Sequence, residues 1–207
     1  KDFELIKEKL IPRGYQFFWH GHEHINHDEA GYDKALESFT TCYNEMIKMG
    51  LKPVAYAYPY GFGLEADTQR ALKDAGFLSG RLHAPADARH PFITPEDQLE
   101  PDNWFAIPSL VMQDLQFDHC TKCCNNNEEL LEYLSEAERR RAWLIVGYHA
   151  LGDTDTYGWY TLDEFRKDAE AIGRSDMFFG SMNDITLYMY ERNHASLEIQ
   201  ARWPETA

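Results

Sequence analysis

The chain has 207 residues, enough for one sizeable domain, and 43% of them are hydrophobic, so a buried core is within reach. A formal charge of −15 sets it against nucleic acid and anionic membrane surfaces, both of which are held by basic patches. No apolar run approaches the roughly 18 residues of a membrane span. The aromatic fraction of 14% suits either an aromatic core or a carbohydrate groove.

Helix and strand signals alternate along the chain. Phe3, Ile6 and Leu10 recur at helical spacing over 2–12, with Gly14 as the stop. Residues 15–19 form an aromatic run that reads as a strand ending at His20. The spacing of Leu36, Phe39, Tyr43, Met46 and Ile47 predicts a helix over 32–49, closed by Gly50. A buried strand at 53–58, a helix at 64–74 and a strand at 77–80 follow. From 82 to 126 five prolines loosen the pattern, and one short strand is expected at 104–107. A helix at 127–141 precedes the clearest strand, 143–148. Thr161 with Glu164 three residues on forms a capping box for a helix over 161–172. A last strand at 177–179 and a last helix at 183–192 complete the series. Such alternation predicts parallel strands in an α/β barrel or open sheet, as one domain over 1–207.

Chemistry concentrates in F-F-W-H-G-H-E-H-I-N-H-D, residues 17–28, where four of the nine histidines fall together. The zincin pattern H-E-x-x-H fails here, because His22-Glu23 is followed by His24, Ile25 and Asn26. His20-x-x-x-His24 remains: a step of four puts both imidazoles on one side of a helical turn, and on one face of a strand. His27 joins them if a helix continues. The rival reading is a solvated polar loop. Tyr58-Pro59-Tyr60-Gly61 closes one expected strand and His149 another, and parallel α/β folds place their sites at such ends. His119, Cys120, Cys123 and Cys124 could hold a structural zinc or a disulfide, but free thiols are the first expectation. His83, His90 and His194 read as solvated side chains.

Taken in order, these segments resemble the polysaccharide deacetylases, the NodB-homology or carbohydrate esterase family four enzymes. The family pattern G-H-E-I-G-N-H-T-x-S-H runs without a gap along residues 14–24, placing His20 and His24 on its two metal-binding histidines. R-P-P-Y-G lands on Ala57-Tyr58-Pro59-Tyr60-Gly61, and the strand ending in the catalytic histidine lands on 144–149. The resemblance implies a distorted (β/α) barrel of the NodB-homology type and removal of acetyl groups from a polysaccharide or amino sugar, N-acetyl ahead of O-acetyl. It implies a divalent metal, zinc being expected, on His20, His24 and an aspartate. His149 would protonate the leaving group, and the Tyr60 N–H would help hold the oxyanion. Arg81 would assist where the family's arginine is Ala57. Tyr58, Pro59, Tyr60 and Trp159 are expected to line the acetylated-carbohydrate site.

One departure is large. The family's T-F-D-D-G, source of the general base and third ligand, has no counterpart in the thirteen residues before Gly14. The expectation is therefore a domain lacking its first strands in this chain, either a fragment or a carbohydrate-binding relative without the base. Asp28, Asp33, Asp153 and Asp155 are the carboxylates nearest the motifs, and nothing in their spacing singles one out. Extracytoplasmic location follows from the resemblance alone.

Overall fold

Alternating strands and helices recur in the computed structural model, which describes residues 2–82, 92–93, 100–113, 124–152 and 158–197. The chain begins with α1 (Asp2–Leu5), a π-helical turn (Ile6–Leu10) and a 3-10 turn (Ile11–Arg13). Pro12 enters at the start of that last turn, where its missing N–H costs least, and Gly14 ends it at φ 86°. There follow α2 (His27–Ala30), α3 (Tyr32–Lys48), β1 (Ala55–Ala57), a 3-10 turn (Pro59–Gly61), α4 (Ala66–Asp74), β2 (Ser79–Arg81) and β3 (Phe92–Ile93). The second half holds β4 (Leu110–Met112), α5 (Asn127–Arg140), β5 (Trp143–Leu144), β6 (Val146–Tyr148), β7 (Ala150–Leu151), β8 (Trp159–Tyr160), α6 (Leu162–Arg174) and α7 (Met182–His194). Among the described residues no helix is long and apolar enough to cross a membrane.

The strands pair in twos: β1 with β2, β4 with β6 and β7 with β8 in parallel, and β3 with β5 antiparallel. Single parallel bridges, Trp19 to Tyr56, Arg81 to Ile107 and Met112 to Cys124, are all that extend these pairs. The expected barrel is therefore corrected. Closure needs a ladder that continues around the whole circuit, and here the ladder breaks into pairs of strands two or three residues long. Residues 15–19 contribute one bridge at Trp19 instead of a strand. The expected strand at 177–179 does not form either; Phe178 and Phe179 stay exposed, with no strand edge beside them among the described residues. Conversely β4, in the proline-rich region, was not anticipated, although Leu-Val-Met is buried at every position, as a doubly covered parallel strand should be.

Two helix pairs cover the strands. On α3, Ala35, Phe39, Cys42 and Met46 recur every three or four residues and meet Tyr56, Tyr58, Leu72 and Phe77 of the first half. The buried face is rotated from the one expected, leaving Ile47 exposed. In the second half Leu130 and Leu134 of α5 pack with Leu110, Met112, Cys124 and Tyr160. The remaining helix, α7, works as a clamp. Asn183 donates through Nδ2 to the Phe17 carbonyl at 3.0 Å and accepts the Ala55 N–H at 3.2 Å, tying the segment before His20 to β1.

Capping was read correctly at α6, where the Thr161 hydroxyl accepts the Glu164 N–H at 3.2 Å. Thr161→Ala removes an acceptor from an otherwise orphaned helix donor and is expected to lower stability by about 1 kcal/mol. A thermal melt monitored by circular dichroism checks this, with Thr161→Ser as the variant that should keep the cap.

Candidate active site

The histidine run does not form one helix, and its four imidazoles go to different places. Gly21 breaks it: its φ is +98°, and a Cβ there would stand 2.9 Å from Pro59 Cγ and 3.3 Å from the Tyr56 hydroxyl. Past this turn His22 is exposed near Glu45, and His24 adopts a left-handed backbone at φ 50°. His27, capped into α2 by the Asn26 side chain, turns into the core. There it stacks on Phe39 with ring centroids 4.4 Å apart, and its Nε2 lies 3.2 Å from the Ser38 hydroxyl. Burial pulls its pKa down to about 4, only partly opposed by Asp28. The possibility that His27 joins His20 and His24 is thus corrected: a neutral, buried imidazole serves the core.

His20 and His24 do converge, with Nε2 atoms 3.3 Å apart. His20 Nδ1 lies 2.9 Å from the Ala57 carbonyl, which can only accept, so this nitrogen carries the proton and Nε2 offers its lone pair. A backbone carbonyl holding the far nitrogen of a ligand histidine is the usual outer-shell arrangement of metal sites. The separation fits too. Two ligands at about 2.0–2.1 Å on a tetrahedral zinc stand about 3.3–3.4 Å apart. Burial, then the nearby charges of His24, Arg81 and His149, lower the His20 pKa against the raising effect of the Ala57 hydrogen bond. A neutral imidazole is the form a metal needs.

The expected metal centre is nevertheless corrected in extent. Among the described residues no group of three or more His, Cys, Asp or Glu side chains could hold a metal ion. Asp28 is engaged elsewhere, accepting the Leu64 and Glu65 N–H groups at 3.0 and 3.3 Å. Asp33 sits in the first turn of α3, and Asp153 and Asp155 lie outside the described residues, as do His83, His90, His119, Cys120 and Cys123. Cys124 is a buried free thiol, pushed up to about 12 by desolvation. His194 is exposed and stacks on Tyr190.

The other expected residues stand at the same ends of the strands. Arg81 closes β2 and His149 follows β6, and the charges of both are felt at His20. The Arg81 guanidinium donates to the Ser109 hydroxyl at 3.1 Å and the Leu82 carbonyl at 3.4 Å, and burial lowers its pKa to about 10. No carboxylate among the described residues pairs with it, so a buried cation faces only neutral oxygens. Tyr60 is exposed, also left-handed at φ 56°, with its ring edge 4.7 Å from the His24 ring centroid-to-centroid. Tyr58 and Pro59 are buried instead, and the Tyr58 hydroxyl donates to the Phe105 carbonyl at 2.9 Å. Trp159 is half-buried on β8, opposite Ala150 just beyond His149.

Two residues of this region carried no signal strong enough to single them out. Ser109 relays between Arg81 and the Leu82 carbonyl, which its hydroxyl reaches at 2.7 Å. Gln113 follows β4 with a buried, unpartnered Oε1. The apolar triplet before Gln113 is the signal that a strand ends there. Comparison of the chain with protein-family models, with curated proteins and with solved structures found no match.

Proposed function

We propose that the chain carries most of a metal-dependent hydrolase site that removes acetyl groups from a polysaccharide or amino sugar, N-acetyl ahead of O-acetyl. The observation that carries this reading is the convergence of the His20 and His24 Nε2 atoms, one of them tautomer-locked by Ala57, within the electrostatic reach of His149 and Arg81. It draws on the motif resemblance and asks for no closed barrel. His20 and His24 would hold a divalent metal, zinc first, with a carboxylate from outside the described residues. The metal when bound supplies a Lewis acid for the acetyl carbonyl and lowers the pKa of water.

The chain's own groups have separate tasks. Ala57 keeps the His20 lone pair pointed at the metal position. Arg81, buried without an acidic partner, is set to orient a carboxylate base, because a desolvated guanidinium gains most from such a pair. His149 gives its proton to the amine or alkoxide as the carbon–heteroatom bond breaks. Tyr60 borders the metal position through its contact with His24.

The lack of a third ligand among the described residues favours one rival, a carbohydrate-binding relative without catalysis. Zinc content by mass spectrometry, together with acetate release from N-acetylglucosamine oligomers and from acetylated xylan, separates the two. We expect about one zinc per chain and acetate from the amino sugar first. Oligomer binding without acetate release would replace the hydrolase reading with the rival.

A further inference from the structure

We propose that Gln113 is a positioning residue for His149: its side-chain oxygen accepts a ring N–H of His149 and so determines which ring nitrogen faces the cleft. The role assigned to His149 rests on the hydrolase reading above; the pairing itself does not.

The backbone places the two residues side by side. Met112 and Tyr148 are the last partners in the parallel pairing of β4 with β6, and Gln113 and His149 are the next residues on each strand. Alternation along a strand then turns both side chains away from the face on which Met112 and Tyr148 join the core. The backbone of Gln113 is pinned on its other side, donating to the Cys124 carbonyl at 3.1 Å while Cys124 donates to the Val111 carbonyl at 3.0 Å.

Both side chains border Gly158. A Cβ built on that glycine would stand 2.9 and 3.2 Å from His149 Cβ and Cγ and 3.6 Å from Gln113 Oε1. The φ of +66° and the crowding by His149 both demand glycine here, which keeps the space between the two side chains clear. Gln113 is 2% exposed, yet its Oε1 has no hydrogen-bond partner among the described residues. A buried amide oxygen without a donor is costly and uncommon, and a functional partner is one of the recognised reasons for keeping one. Of the side chains bordering Gly158, His149 is the one that carries a ring N–H able to turn toward this oxygen.

The chemical consequence is a fixed tautomer. With one N–H held by Gln113, the other nitrogen of the imidazolium carries the proton that goes to the leaving group. The electron pair of the breaking bond takes up that proton, and the ring is left neutral with its Gln113-bound N–H in place. No ring flip is needed in the cycle, which is the service an acceptor behind a catalytic histidine performs.

The test uses the full chain labelled with ¹⁵N-histidine, reading the His149 ring nitrogens by NMR in the wild type, Gln113→Glu and Gln113→Leu. We expect one ring tautomer in the wild type and in Gln113→Glu, which keeps an acceptor oxygen, and a mixture of both in Gln113→Leu. In the acetate-release assay Gln113→Leu should lose on the order of tenfold in kcat with KM unchanged, part of what a positioned acid contributes. Its melting temperature should equal or exceed that of the wild type, because removing an orphaned buried oxygen relieves a penalty. An unchanged His149 tautomer in folded Gln113→Leu would overturn the proposal. So would loss of folding in both Gln113→Leu and Gln113→Met, which would make the amide a structural residue. A tautomer shift in a protein whose wild type releases no acetate would overturn the hydrolase reading and leave the pairing standing.

Discussion

His20→Ala is expected to lower the rate of acetate release about a thousandfold and to take zinc below one-tenth of an equivalent per chain. The size follows from what is removed. A Lewis acid at a developing oxyanion contributes several kcal/mol, and about 4 kcal/mol corresponds to about a thousandfold in rate. His24→Ala should match it, because either variant leaves one imidazole where two Nε2 atoms stood 3.3 Å apart. Combining the two should add little, since ligands that act as a unit are not additive. The circular dichroism spectrum should be unchanged in all three: His20 and His24 are both largely exposed, and neither belongs to a core cluster. Retention of more than a tenth of the wild-type rate in His20→Ala would remove the histidine pair from the mechanism.

Acidification should cost the fold about 3 kcal/mol between pH 6.5 and about 4. The source is His27, buried with its pKa pulled from 6.5 to about 4 by desolvation. Between those values the unfolded chain binds a proton that the folded chain refuses, so stability rises with pH across the window and is lost on the way down. The shift corresponds to about 3 kcal/mol at about 1.4 kcal/mol per unit. Above pH 6.5 the contribution is complete, and below about pH 4 nothing more is lost. Glu136 titrates in a lower window: hydrogen bonds from Arg139 and Arg140 hold it down to about 2, and its contribution fades from its usual range toward that value. Urea unfolding at pH 7 and at pH 4.5 measures the effect. His27→Leu, which keeps an apolar side chain against Phe39, should flatten the pH dependence. An equal loss in wild type and His27→Leu would show that other groups drive it.

What the sequence made legible is what short-range physics decides. The Thr161 cap and the helical run that became α3 involve residues three and four apart, and both stand close to where the spacing put them. Strand closure depends on partners far along the chain. Residues 15–19 and 177–179 had the aromatic, β-favouring composition of strands, yet found no ladder to join beyond the Trp19 bridge. The histidines divide in the same way. Their spacing of four selected His20 and His24, whose Nε2 atoms do meet, but the burial of His27 depends on Phe39 and Ser38 of another helix. Gln113 escaped notice because its significance lies in the register of β4 against β6. No local pattern encodes that register.

The left-handed backbones of His24 and Tyr60, whose rings lie against each other, set stability and chemistry at odds. A side-chain-bearing residue held there costs about 1–2 kcal/mol that glycine would avoid. Selection for heat resistance alone would therefore favour glycine at both positions and erase one imidazole of the pair in doing so. A lineage that keeps His24 in this conformation is being held there by something other than the fold.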